Sequence, residues 1–515
     1  MQPRTVLLAG LGLLAASGVW IAFGPAREAK AAPRSPDVVF FVVDTLRADR
    51  MSVYGARRRT TPNLERWAKE GVTFERAYAP APWTLPSVAS LLTGYYPETH
   101  GAGVWESVRN QNSPATALTP AALTLPEKLA QHGYNSACWT ANAFLTLGCG
   151  QGFDPFFTAQ GSADELVTWA LEGLTTPHEK PAFVYLQPMD VHDPTPVPDE
   201  FFRRFPTPEA DARLEKHRGF GETSLGIYQG RDLVNYATHR IAAYDGSIAF
   251  VDRAFGRLLE GLQAAGRLDS TYVFFLSDHG EELWDHVIEE MEGYRDPRGY
   301  CGIGHGHTHF EELIHIPLLA WGPGFARGQR VATPVSLIDL PGTVLDLLGL
   351  GEKMRPDSPG RSLRPALVGS PIERVPLFFQ QISYGYRRRA ILDERDRKLI
   401  VSTNPEEATF AFDLTKDPKE KKNLAQTSEG ASFDDLRAAM DRIVASQPRT
   451  LPMVEATRLE DAVLERLKAV GYFGGIQPAA TPASGRSSQP ASAESAPSAL
   501  DAGDDPTTDP AARYR

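Results

Sequence analysis

The feature that most constrains this chain is a short, continuous apolar run that stops on residues able to hold a metal, and it occurs twice. Asp37 to Val43 runs into Asp44, and Tyr272 to Leu276 runs into Ser277-Asp278-His279-Gly280. Runs of this length without alternation mark strands buried on both faces, as in a parallel sheet. Ala182–Gln187 and Ile316–Trp321 read the same way. Helical stretches stand among them at Thr61–Gly71, with Pro62 in the first turn and Gly71 closing it, at Ala237–Leu259 and at Val335–Leu348. Strands alternating with helices predict an α/β fold, a mostly parallel sheet flanked by helices. Ligands of such sheets bind beyond the carboxyl ends of the strands, where Asp44, Asp278 and His279 fall.

The pattern changes from about Arg374. Arg374–Gln381, Arg389–Asp393 and Lys398–Ser402 read as short antiparallel strands, and a helix follows at Ser432–Ala445. The expected organisation is a catalytic domain over 35–372, a small C-terminal α+β subdomain over 373–475 and a disordered tail over 476–515, rich in Ala, Pro, Ser, Asp and Thr. At the other end, Arg4 precedes an apolar run from Val6 to Phe23, and Ala29-Lys30-Ala31 has the small-x-small form of a signal-peptidase site. Residues 1–31 therefore read as a signal peptide cleaved after Ala31, or as an uncleaved anchor attached through residues 5–23. Either reading places the body outside the cytoplasm, in the periplasm or beyond. Three cysteines, Cys138, Cys149 and Cys301, are too few for a disulfide framework, although Cys138 and Cys149 are near enough in sequence to pair. The net charge of −11 argues against a nucleic-acid partner. It also means that an anionic substrate needs a locally positive site. No protein partner is legible.

Each chemical candidate has a plainer alternative. Asp44, Asp278 and His279 suit a divalent metal, or the acids cap the helices that follow. Thr84 opens the segment Thr84-Leu85-Pro86-Ser87 at the start of a small-residue helix. There a metal-activated hydroxyl would meet the helix N-terminus, or the threonine only caps it. His192, in Met189-Asp190-Val191-His192-Asp193-Pro194, and His305 and His307, in Gly304-His305-Gly306-His307, lie in two short loops after candidate strands. Imidazoles there can protonate a leaving alkoxide or hold an anionic oxygen.

In this order the segments resemble the sulfatases and their phosphoester- and phosphonate-cleaving relatives in the alkaline-phosphatase superfamily, over Pro36 to about Phe473. The match runs through Val42-Val43-Asp44-Thr45-Leu46-Arg47-Ala48-Asp49, Thr61-Pro62-Asn63-Leu64, Thr84 to Gly94, Met189 to Pro194, Tyr244-Asp245 to Asp252, Ser277 to Glu281, Gly304 to His307 and Ile316-Pro317-Leu318. It ends with Phe412-Asp413-Leu414, Asp417-Pro418, Asn423-Leu424 and Leu467 to Tyr472.

The resemblance implies a metal-dependent hydrolase of sulfuric or phosphoric esters. By the same resemblance, Asp44, Thr84, Asp278 and His279 are expected to hold the metal and Thr84 to be the nucleophile. His192 binds the transferred group or assists the leaving group, and His305 or His307 supplies a further cationic group. Four positions depart from the sulfatase pattern. Thr84 and Val88 stand where sulfatases carry the formylglycine precursor and an arginine, Thr45 stands for a second acid, and His279 for an asparagine. The added imidazole favours manganese or zinc over calcium, and a second metal at Asp190, His192 and His305 is a further reading. The threonine is similar to that of phosphodiester, phosphonate and phosphoglycerol-transferring relatives. This leaves a transferase acting on envelope lipid or glycan as one alternative and an inactive metal-binding relative as another.

Overall fold

The computed structural model describes residues 35–452, except 104–115, 159–160, 194–196, 206–230, 287–288, 290–292, 294–301 and 449. The leader, the tail, Cys301, the Leu467–Tyr472 motif and the segments 104–115 and 206–230 lie outside the described residues. The main sheet contains β1 (Asp37–Val43), β2 (Val72–Tyr78), β3 (Asn135–Thr140), β4 (Phe156–Thr158), β5 (Ala182–Gln187) and β6 (Thr271–Ser277). After the two-stranded ribbon of β7 (Glu282–Leu283) and β8 (Ile303–Gly304), it adds β9 (His315–Trp321), β10 (Gln329–Val331) and β11 (Val335–Ser336). Its order is β10-β2-β9-β6-β1-β5-β3-β4, with β11 beside β2. Only β9 runs against its neighbours.

β1 shows why its run is apolar throughout. Val38, Phe40 and Val42 enter the core on one face, while Val39, Phe41 and Val43 enter the core on the other. Helices α1 (Pro62–Trp67), α2 (Thr84–Thr93), α3 (Ala163–Thr175), α4 (Arg231–Ala264) and α5 (Leu340–Leu347) cover the two faces. Phe40 meets Phe183 and Phe274 edge-on across the strands, and Phe41 packs on Phe255 of α4. With both faces dry, no polar alternation is tolerated. Asp252 of α4 caps α1, accepting the Asn63 and Leu64 N–H groups at 2.9 and 2.8 Å, which explains the Thr61-Pro62-Asn63-Leu64 segment.

Three expectations change. Val335–Leu348 is not one helix: Val335–Ser336 pairs with β2, a 3-10 turn follows, and α5 starts only at Leu340. Pro341 suits the first turn of α5, and in the 3-10 turn before it Asp339 Oδ2 accepts the Ser336 N–H at 3.0 Å. The Thr61–Gly71 helix is α1 followed by a 3-10 turn at Ala68–Glu70. Cys138 and Cys149 are buried free thiols rather than a pair.

Beyond the main sheet, β12 (Leu377–Phe379), β13 (Arg388–Leu392), β14 (Arg397–Ser402) and β15 (Phe410–Asp413) form an antiparallel sheet. One face packs on Leu436 and Met440 of α6 (Asp434–Ser446), the other on Phe310, Leu313 and Ile314 just before β9. Among the described residues, no helix is long and apolar enough to cross a membrane.

Candidate active site

Four adjacent strands, β3, β5, β1 and β6, deliver their carboxyl ends to one place. Asp44 follows β1, Asp278 and His279 follow β6, Gln187 ends β5 and Asn142 lies just beyond β3. All five are fully buried. Asp44, Asp278 and His279 bring ligand atoms within 4.8 Å of one another. His279 Nε2 is 3.6 Å from Asp44 Oδ1 and 3.6 Å from Asp278 Oδ2.

Thr84 joins this set from α2, its Oγ1 3.2 Å from His279 Nε2. Trp83, not Thr84, is the N-cap residue, and no side chain caps the helix end. The threonine is therefore not a cap: its hydroxyl faces the acids, and the positive helix terminus faces any anion bound there. Val88, one turn on, points into the core.

Burial drives Asp44 up to about 6, helped by the charge on Asp278, and drives Asp278 up to about 7. It also pushes His192 and His279 below the ordinary imidazole value. His279 Nδ1 lies 2.9 Å from the Gly280 carbonyl and donates to it, so Nε2 carries the lone pair. Asp44 Oδ1 is buried and accepts no hydrogen bond. A buried carboxylate oxygen left this way is costly unless a cation meets it. Adjacent ligands around an ion with bonds near 2 Å are about 3.3 Å apart, close to the spacings found here. The donor set Asp44, Thr84, Asp278 and His279 therefore fits a divalent metal.

The remaining histidines sort themselves. The His305 ring lies 4.5 Å from that of His279 and 5.1 Å from that of His192. His305 Nδ1 is 3.1 Å from Glu281 Oε2, and His192 Nδ1 bonds the Asp193 carbonyl. His307 is buried, with its carbonyl 3.5 Å from Arg388 Nη1. Asp190 does not join His192 and His305 as a second metal cluster among the described residues. Its Oδ2 instead accepts the Ala163 N–H at 2.8 Å, at the start of α3.

Thr45 is not a substitute ligand. It adopts a left-handed backbone (φ 59°), its hydroxyl bonds the Asp44 carbonyl at 2.7 Å, and only its N–H reaches Asp278, at 3.3 Å. Arg47 is buried in ion pairs with Asp49 and Asp285, and donates to the Glu281 carbonyl behind His305. Sequence reasoning missed Asn142, Gln187 and Glu281. Gln187 ends the apolar stretch 182–187, which was the available signal, whereas Asn142 follows Asn135–Thr140, a strand with no apolar run to mark it.

A family model described as sulfatase matches residues 36–350, more than half of the chain. The chain belongs to the sulfatase family. Among the relatives of this sulfatase, human N-acetylgalactosamine-6-sulfatase is 28% identical over 386 residues, covering 68% of this chain and 69% of that one. An arylsulfatase of Clostridium perfringens is 26% identical, covering 76% and 91%. Among solved structures, the fold matches a protein bound to its substrate D-glucosamine-2-N,6-O-disulfate, with TM-score 0.62, 20% identity and coverage of 80% and 98%. It also matches the phosphonate monoester hydrolase of Agrobacterium radiobacter, with TM-score 0.61, 21% identity and coverage of 82% and 100%. The protein is thus a sulfatase-type hydrolase on a mostly parallel sheet flanked by helices.

Proposed function

We propose that this protein cleaves sulfuric or phosphoric esters, with Thr84 as a metal-activated nucleophile. The observation that carries this reading is the placement of Thr84 Oγ1, 3.2 Å from His279 Nε2 in a pocket where Asp44 Oδ1 lacks a partner. A divalent ion held by Asp44, Thr84, Asp278 and His279 would lower the pKa of the Thr84 hydroxyl and polarise a non-bridging ester oxygen. Manganese and zinc suit this set better than calcium, because one ligand is an imidazole. Formylglycine does not fit the chain: the threonine Cβ carries a methyl group, so its oxidation yields a ketone rather than an aldehyde.

With its proton released to solvent water, Thr84 Oγ1 would attack sulfur or phosphorus in line, and the bond to the leaving oxygen would break. His305, oriented by Glu281, or its neighbour His192 gives that oxygen a proton. Water then cleaves the threonyl ester, releasing sulfate or phosphate and restoring the hydroxyl. The sulfatase relatives support sulfate esters, and the alkoxide nucleophile supports phosphorus esters. The apolar run Val6–Phe23 supports export of the hydrolase, which N-terminal sequencing of the secreted or membrane fraction tests.

The deciding experiment is turnover of matched aryl sulfate, phosphate monoester, diester and phosphonate substrates by metal-stripped protein reloaded with manganese, zinc or calcium. Thr84→Ala is expected to lose at least about 10³-fold in kcat with an unchanged unfolding midpoint. Wild-type turnover by that variant would end the threonine mechanism.

A further inference from the structure

Asn142 and Gln187 each have the amide oxygen fastened away from the centre of the site. Asn142 Oδ1 accepts the Phe144 N–H at 2.8 Å, capping the 3-10 turn Ala143–Thr146. Gln187 Oε1 accepts the Tyr185 hydroxyl at 2.7 Å. With the oxygens held, both NH2 groups must face inward, and each has two hydrogens to place. Asn142 Nδ2 lies 2.5 Å from Asp44 Oδ2 and 3.2 Å from Thr84 Oγ1. Gln187 Nε2 lies 3.2 Å from Asp44 Oδ2 and 3.0 Å from Asp278 Oδ2. All four amide hydrogens are therefore spent on the acids and the hydroxyl.

We propose that these two amides are a clamp that presets the site: Gln187 holds the two carboxylates together, and Asn142 donates to Thr84 Oγ1 and stabilises its alkoxide. The second half rests on Thr84 being the nucleophile. Two buried carboxylates this close repel each other, and a lysine or arginine between them would cancel the charge that attracts a metal. A neutral amide bridges them and leaves that charge in place. Both amides bind Asp44 through Oδ2, so Oδ1 stays open towards a cation. Gln187 is a positioning residue. Asn142 touches the reacting oxygen and is a catalytic one. A donor aimed at an oxygen that becomes an anion acts most strongly after the proton has left.

Two near-isosteric variants separate the roles. Gln187→Met keeps the volume and removes the bridging donor, together with the acceptor of the Tyr185 hydroxyl. Asn142→Asp keeps an acceptor for the Phe144 N–H, so the turn stays capped, and removes the donor to Thr84. Where Asn142→Asp does not fold, Asn142→Ser keeps an acceptor and takes its place. The full chain is compared by manganese and zinc dissociation constants from chelator competition, by metal-free unfolding midpoint, and by kcat and KM across metal concentrations. Gln187→Met is expected to bind metal about 10–100-fold more weakly, with a kcat deficit that shrinks as metal is raised. Asn142→Asp is expected to lose about 10²–10³-fold in kcat at saturating metal, without weaker metal binding.

Wild-type metal affinity in Gln187→Met would overturn the clamp, and wild-type kcat in Asn142→Asp would overturn the donor role. Thr84→Ala is run beside them. Full turnover in that variant would sink the nucleophile reading and the donor role together, while the metal titrations of Gln187→Met still decide the clamp.

Discussion

The Tyr244 hydroxyl stitches the turn that carries Asp44. It donates to the Thr45 carbonyl at 2.6 Å and accepts the Arg47 N–H at 3.0 Å. Thr45 is a β-branched residue held at positive φ, a conformation that persists only where its surroundings over-determine it. The strain has a use, because it turns the Thr45 N–H onto Asp278 Oδ1. Tyr244→Phe keeps the packing but leaves a buried N–H and a buried carbonyl without a partner. We expect a loss of about 1–3 kcal/mol in chemical denaturation, together with weaker metal binding as the turn relaxes. Asp44 and Thr84 were legible as candidates at this scale because each ends or begins a patterned segment. Asn142 and Gln187 were not, because an amide at a strand end is ordinary until its partners are known.

Among the described elements, the loop from β6 to β7 is tightly constrained. A Cβ on Gly280 would lie 1.9 Å from the Glu312 carbonyl oxygen, a backbone atom that cannot yield cheaply. Gly280→Ala should therefore displace Asp278 and His279. It is expected to lose about 1–3 kcal/mol of stability, with metal affinity falling in parallel, measured by unfolding and by metal titration.

A few residues on, His286 Nδ1 bonds Glu312 Oε1 at 2.6 Å and Nε2 bonds the Glu420 carbonyl at 3.2 Å. With both nitrogens donating, this ring is an imidazolium in a buried ion pair, although Glu282, His286 and Glu312 are spaced like metal ligands. Burial disfavours the charge, but the Glu312 carboxylate overrides it and lifts His286 to about 9. The same pairing, working against burial, holds Glu312 below the usual carboxylate range. The folded His286 value lies above the unfolded one, so its contribution is complete below about pH 6.5 and is lost as pH rises through about 9. His286→Ala should cost about 3–5 kcal/mol at pH 6, and the gap to wild type should narrow by pH 10 in urea unfolding to the part left by the lost buried ring. A gap independent of pH would contradict the charged pair.

For the whole molecule, the small antiparallel sheet is part of the active-site architecture. The Ser383 and Tyr384 N–H groups donate to the Gly306 carbonyl, between His305 and His307, and Gly306 has a left-handed φ of 82°. A Cβ there would come within 3.0 Å of Ser383. Lys398 of β14, fully buried, pairs with Glu311 at 2.9 Å and Glu420 at 2.7 Å, fastening the sheet to the segment before β9. Lys398→Met would leave both carboxylates buried without their cation. It is expected to destabilise by about 3–5 kcal/mol and to lower kcat through the loosened His305 loop. Full activity in a folded variant would show that the sheet and the loop are uncoupled.

The sequence by itself determined the buried strands, because a strand covered on both faces leaves no room for polar alternation and so shows in composition alone. It also marked Asp44, Thr84, Asp278 and His279, since polar residues are conspicuous where apolar runs stop. Only the tertiary structure decided which strands lie side by side, and hence that the ends of β3, β5, β1 and β6 converge. Strand order is a long-range property: Asn142 is 98 residues from Asp44, and Gln187 is 91 from Asp278. The same holds for the pairing of Val335–Ser336 with β2 and the reversal of β9 between β2 and β6, which depend on strands distant in sequence.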